Sequence, residues 1–277
     1  MMSTDTRLDP GPDDGSPAST GGGLAIDDVT VRFGGLTAVS GLTLAAPPGR
    51  VTGLIGPNGA GKTTTFNVCS GLQRPTTGRV SFDGYDVTSS SPSVRARLGL
   101  GRTFQRMQLF DSLTVAENVA LGREAGLAGA NPVRLLLSAP GEAGQVNEAA
   151  GAAMGLCGLG GLAGRRAGSL STGERRLVEL ARVLAGRFSL LLLDEPSSGL
   201  DRVETARFGE ILGRTVSERD TGILLVEHDM ALVLTVCDYI YVLEFGQLIF
   251  EGTPAQIRDS EIVRAAYLGQ TAGSEVT

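Results

Sequence analysis

Val51-Thr52-Gly53-Leu54-Ile55 runs directly into Gly56-Pro57-Asn58-Gly59-Ala60-Gly61-Lys62-Thr63, and Thr64 to Gly71 follows. The first five residues carry no charge and read as a short buried strand. The glycines then let the backbone curl so that successive N–H groups face one anion. A helix beginning beyond the loop adds the positive end of its dipole. The stretch matches G-x-x-x-x-G-K-[ST], a spacing that sends Lys62 to the β- and γ-phosphates of a nucleotide and the Thr63 hydroxyl to Mg²⁺. Gly56, Pro57, Asn58, Gly59, Ala60, Gly61, Lys62, Thr63 and Thr64 are therefore candidate phosphate-binding residues. A flexible glycine turn with an exposed lysine is the competing reading. It is weak, because Lys62 is the only lysine among 24 basic residues.

Downstream, Ser189-Leu190-Leu191-Leu192-Leu193 and Gly222-Ile223-Leu224-Leu225-Val226 are continuous apolar runs, as in strands buried on both faces. Helices are expected over 174–186, with Leu177, Leu180, Ala181 and Leu184 on one face, and over 202–219. Strands alternating with helices imply a mostly parallel α/β sheet. Upstream, 24–44 alternates like strands, Arg79 to Phe82 is strand-like, and the period turns helical from about Ser93. Residues 123–165 are rich in Gly and Ala and are expected to be helical pieces joined by loops. Tyr239 to Leu243 and Gln247 to Phe250 form an expected hairpin around Phe245-Gly246.

Asp194-Glu195 closes the 190–193 strand. In phosphoryl transfer an Asp at such a position holds Mg²⁺ and a neighbouring acid polarises the attacking water, so Asp194 is assigned to the metal and Glu195 to the water. Leu170-Ser171-Thr172-Gly173-Glu174 precedes the next helix. Ser171 with Glu174 has the spacing of a capping box. The same helix start, with a hydroxyl and a glycine N–H, is also a second anion site.

The 277 residues carry 24 basic and 30 acidic side chains, a formal net charge of −6, and 42% of them are hydrophobic. That leaves ample material for a core and argues against nucleic acid as a bulk electrostatic partner. Residues 1–23, rich in Asp, Pro, Gly and Ser, read as a disordered tail without the features of a signal peptide. No run of eighteen apolar residues predicts a membrane span. Three widely spaced cysteines, Cys69, Cys157 and Cys237, fit a reducing compartment better than a disulfide frame.

Together these segments resemble the ATP-binding subunits of ABC transporters over residues 24–269. The phosphate loop is similar to Walker A and Leu190 to Glu195 to Walker B. Gln105, in Thr103-Phe104-Gln105-Arg106, matches the Q-loop, and 170–174 matches the signature with Thr172 at a glycine and Glu174 at the glutamine. Ser197-Ser198-Gly199-Leu200-Asp201 resembles the D-loop, His228 falls on the switch histidine, and Phe33 falls on the aromatic that stacks on adenine. The resemblance implies a RecA-like P-loop core with an N-terminal antiparallel β subdomain and an inserted α-helical subdomain at about 93–186. Residues 270–277 would be a flexible tail.

It also implies ATP and Mg²⁺ as ligands and a head-to-tail pair with a second ATPase subunit, as homo- or heterodimer. Ser171 and Gly173 would contact the γ-phosphate held by the opposite Lys62, with Asp201 nearby. His228 would bind the same phosphate and position the water near Glu195, and Gln105 would touch Mg²⁺ or water. Transmembrane permease subunits are implied as partners at the cytoplasmic face, with a solute-binding protein acting through them. Finer likenesses point to the branched-chain amino acid importer group: Arg32-Phe33-Gly34-Gly35-Leu36, Thr114 to Val119, Val226-Glu227-His228-Asp229-Met230 and Ala266-Tyr267-Leu268-Gly269. Asp201 fits that group less well. Urea or amide importers and lipopolysaccharide export are the alternatives. A soluble ABC protein would be expected to show a second cassette or a heptad run, and a phosphate-loop kinase leaves the signature and D-loop segments unexplained.

Overall fold

A computed structural model describes residues 22–103, 109–128 and 142–268. Two sheets organise the chain. The smaller is antiparallel, in the order β2 (Leu36–Ala46), β1 (Leu24–Phe33), β4 (Thr77–Phe82), β5 (Tyr85–Asp86). The larger runs β10 (Gln247–Gly252), β9 (Tyr239–Glu244), β3 (Val51–Ile55), β8 (Gly222–Val226), β7 (Leu190–Asp194), β6 (Leu100–Arg102). Its strands pair in parallel except for the β9–β10 hairpin.

The leucine run of β7 shows why the large sheet needs two cores. Leu190 and Leu192 point to one side and Leu191 and Leu193 to the other, and all four are buried. The first pair joins Leu54, Leu224 and Val226 against the antiparallel sheet and the helix α1 (Lys62–Ser70), which contributes Phe66, Val68 and Cys69. The second pair joins Ile55, Ile223 and Leu225 against helices further along the chain. These are α3 (Val115–Ala128), α4 (Glu142–Leu156), α5 (Thr172–Ala185) and α6 (Arg202–Arg219). The chain then adds α7 (Met230–Val236), α8 (Pro254–Asp259) and α9 (Glu261–Leu268).

The helical reading from Ser93 onward needs one correction. Only α2 (Pro92–Leu98) is helical there before Gly99 ends it in the left-handed region (φ 112°), and Leu100 to Arg102 then forms β6 beside β7. Three residues are too few for a period to declare itself, so the partner strand decides their conformation. Within 123–165, α3 and α4 are the helical pieces, while residues 129–141 lie outside the described residues. So do the terminal segments 1–21 and 269–277 and the Q-loop residue Gln105.

One buried cation secures the far end of the phosphate-loop helix. Arg95 on α2 is 1% exposed and donates from Nη1 to the Val68 and Cys69 carbonyls (both 2.7 Å) and from Nη2 to the Val87 carbonyl (2.6 Å). The first two carbonyls belong to the last turn of α1, where intrahelical donors run out, and of the two Val68 alone has a second donor, the Gly71 N–H (3.1 Å). Arg95→Met keeps most of the stem but removes every donor. It should lower the free energy of unfolding by about 2 kcal/mol, since the Cys69 carbonyl loses its donor while Val68 and Val87 keep only the N–H groups of Gly71 and Ser90. Denaturant titration measures this.

A cleft at the carboxyl ends of the parallel strands

The loop between β3 and α1 is shaped by close backbone approaches. At Gly56 φ is +150°, and a Cβ there would collide with the Leu243 carbonyl of β9. Gly61 stands at the N-cap of α1 with φ +98°, where a Cβ would lie 2.7 Å from the Ala38 carbonyl oxygen. Lys62 folds back under the loop, and its Nζ donates to the Gly56 and Pro57 carbonyls (2.5 and 2.9 Å). It is 6% exposed. Burial lowers its pKa below that of an ordinary lysine, against the opposing pull of Glu195 and Asp194. The two carboxylates are thus close enough to be felt by the ammonium.

A cleft of about 350 Å³ opens over this loop, lined by Asn58 to Thr64 together with Glu195, His228, Leu36 to Ala38 and Phe245. Residues far apart in sequence meet here because β3, β7 and β8 are parallel and end on the same side. Glu195 follows β7 with φ +48°, and its N–H donates to the Val226 carbonyl at the end of β8 (2.8 Å). That turn brings its Oε1 to 2.6 Å from Nε2 of His228, two residues beyond β8. Asp194, the last residue of β7, is 1% exposed and lies within electrostatic reach of Lys62 and Arg102.

The remaining expected residues are placed differently. Phe33 is 49% exposed at the end of β1 and is not among the residues lining the cleft. Leu36 and Phe245 supply apolar surface there instead. Phe245 is 85% exposed in the β9–β10 turn with φ +47°, a conformation costly for a bulky side chain. An aromatic where the turn favours glycine or asparagine was the available signal, and the sequence reading assigned it no role.

Ser171, Gly173 and Asp201 form a second constellation outside the cleft lining. Ser171 caps α5: its Oγ accepts from the Glu174 N–H (3.2 Å) and Glu174 accepts from the Ser171 N–H (2.8 Å). Arg165 lies 3.7 Å from the Glu174 carboxylate and offsets the charge at this helix start. Asp201 caps α6 by accepting from the Val203 and Glu204 N–H groups (both 2.8 Å). The two caps pack together. Gly173 leaves room for the Glu204 carboxylate, and a Cβ on Gly199 would sit 3.4 Å from Thr172 Cγ2. Arg176 of α5 adds a bond from Nε to the Ser198 carbonyl (3.3 Å) and a buried ion pair to Glu179 (3.1 Å).

The donor set fits Mg²⁺. Thr63 offers a hydroxyl and Asp194 a carboxylate, both hard oxygens, whereas the described residues hold no cluster of three His, Cys, Asp or Glu side chains. Such a site leaves most ligand positions to phosphate and water, the usual arrangement for Mg²⁺.

A glycine loop over an ammonium, beside an acid and an imidazole at the carboxyl edge of a parallel sheet, defines a RecA-like P-loop nucleotide hydrolase. Comparison with known proteins narrows the class. The ABC transporter family profile matches residues 39–198, and that of the branched-chain amino acid ATP-binding cassette transporters matches 247–272. The chain is 38% identical over 250 residues to the high-affinity branched-chain amino acid transport ATP-binding protein BraF of Pseudomonas aeruginosa, spanning 89% of this chain and 98% of that protein. It is likewise 38% identical to LivG of Escherichia coli, which bears the same description, over 89% of this chain and 98% of LivG. Among solved structures it resembles the ADP conformation of MJ1267, an ATP-binding cassette of an ABC transporter. The TM-score is 0.79 at 31% identity, over 90% of this chain and 100% of that one. The chain belongs to the ABC transporter ATP-binding family and is an ATPase. No helix among the described residues is long and apolar enough to cross a membrane.

Proposed function

We propose that this chain hydrolyses ATP to drive an importer of branched-chain amino acids, sitting at the cytoplasmic face of the membrane on transmembrane permease subunits. A solute-binding protein would deliver the cargo. The observation that carries the choice of cargo is the match of residues 247–272 to the branched-chain amino acid cassette profile, joined to the likeness to BraF and LivG over nearly the whole chain. The working unit would be the ATPase domain 24–269, with a helical subdomain that follows β6 and ends at about residue 186.

The chemistry follows from the cleft. Lys62 and the loop N–H groups hold the β- and γ-phosphates. Glu195 accepts a proton from water as the water oxygen bonds to the γ-phosphorus and the bond to the bridging oxygen of ADP breaks. His228, already hydrogen-bonded to Glu195, orients that carboxylate and contacts the γ-phosphate. Mg²⁺ held by Thr63 and Asp194 would neutralise charge on the phosphate oxygens. The second constellation then has a use: in a head-to-tail pair, Ser171 and Gly173 would close over the γ-phosphate bound by the partner's loop, and the Ser171 hydroxyl, which only accepts in α5's capping box, would have its proton to donate.

Uptake of radiolabelled leucine tests the cargo. Cells lacking this chain should lose ATP-driven leucine uptake, and the wild-type chain should restore it where Glu195→Gln does not. Unchanged leucine uptake alongside lost uptake of another solute would reassign the cargo without touching the ATPase.

A further inference from the structure

Glu227 stands between β8 and His228, and no step above uses it. Its side chain is 2% exposed. A buried carboxylate is costly unless its oxygens are hydrogen-bonded, and here each oxygen has a different partner. Oε1 accepts from the Ser197 N–H (2.8 Å), and Oε2 accepts from the His228 N–H (3.1 Å). Ser197 opens the turn that follows Glu195, in which the Ser198 N–H donates to the Glu195 carbonyl (3.2 Å). The contacts close a ring: Glu195 to its own turn, the turn to Glu227, Glu227 to His228, and His228 back to Glu195 at 2.6 Å.

We infer that Glu227 is a positioning residue for hydrolysis, locking the backbone of His228 to the turn after Glu195 so that imidazole and carboxylate meet in register. The inference rests on the hydrolytic roles proposed for Glu195 and His228. Only a side chain with two acceptors serves both N–H groups. Glutamine has nearly the same shape but one acceptor, so either orientation of its amide leaves an N–H facing an NH₂.

The same turn leads through Gly199 to Thr172 at the start of α5. Glu227 therefore also ties His228 to the helix start expected to face a partner's nucleotide.

The experiment compares Glu227→Gln and Glu227→Asp with wild type, reading kcat, ATP affinity and the imidazole NMR signal. His228 is the only histidine, so that signal needs no assignment. Glu227→Gln should lower kcat ten- to hundredfold while ATP affinity stays within about twofold, because a small misplacement of reacting groups is costly. Its imidazole signal should shift or broaden. Glu227→Asp keeps two acceptors and should retain more turnover than Glu227→Gln. Wild-type turnover and an unmoved imidazole signal in Glu227→Gln would overturn the inference. So would a higher kcat in Glu227→Gln than in Glu227→Asp, which would mean that volume, not hydrogen bonding, matters. If Glu227→Gln does not fold, Glu227→Asp decides: its turnover must stay closer to wild type than that of His228→Gln and Glu195→Gln, and its imidazole signal closer to wild type than that of Glu195→Gln. If Glu195→Gln itself turned over normally, the roles of Glu195 and His228 would fail first, and the two failures are thereby distinguished.

Discussion

Glu195→Gln should bind ATP with near-native affinity and hydrolyse it about a thousandfold more slowly. The substitution preserves the shape of the side chain and its ability to hydrogen-bond His228, from which Glu195 is separated by 2.6 Å. It removes only the capacity to take a proton from water. Lys62 and the loop amides are untouched, so binding persists, and an ATP-bound pair of subunits should accumulate because the step that releases it is blocked. Phosphate release measures the first effect, and light scattering with and without MgATP measures the second. Turnover within threefold of wild type would remove Glu195 from the chemistry.

Lys62→Ala should weaken ATP binding about a hundredfold or more, the usual scale for losing one partner of a desolvated charge-assisted contact. No other lysine exists to compensate. The ammonium is held between the Gly56 and Pro57 carbonyls, where burial disfavours its charge and Glu195 and Asp194 favour it. Phosphate arriving in the loop adds negative charge in direct contact with the ammonium, beyond the longer-range pull of the two carboxylates. Lys62→Arg should not rescue binding, because a planar guanidinium is too broad for a pocket shaped around a compact ammonium. Calorimetric titration distinguishes these outcomes, and an affinity within threefold of wild type in Lys62→Ala would contradict the placement.

Much of this architecture was legible from local chemistry. The strands β3, β7 and β8 announced themselves through the uncharged runs 51–55, 189–193 and 222–226 because both of their faces are covered, and Ser171 with Glu174 declared a helix start through their spacing. Convergence of Lys62, Glu195 and His228 was an expectation of motif order, and the parallel register of β3, β7 and β8 gives its physical cause. What stayed hidden depended on distant partners. β6 is a strand only because β7 pairs with it. Arg95 reads as one more surface arginine until the ends of α1 and α2 meet around it. Glu227 looks like a charged neighbour of a histidine, since the N–H that accounts for half of its bonding lies thirty positions away at Ser197. Phe245 lines the cleft through a turn whose backbone its residue type disfavours.

A crystal structure of Glu195→Gln grown with MgATP tests the central claim most directly. The γ-phosphate should lie within hydrogen-bond reach of Lys62 and His228 of one subunit and of Ser171 and Gly173 of the subunit facing it, with Mg²⁺ on Thr63 and Asp194. ATP enclosed by a single chain, with Ser171 remote from any phosphate, would contradict the account.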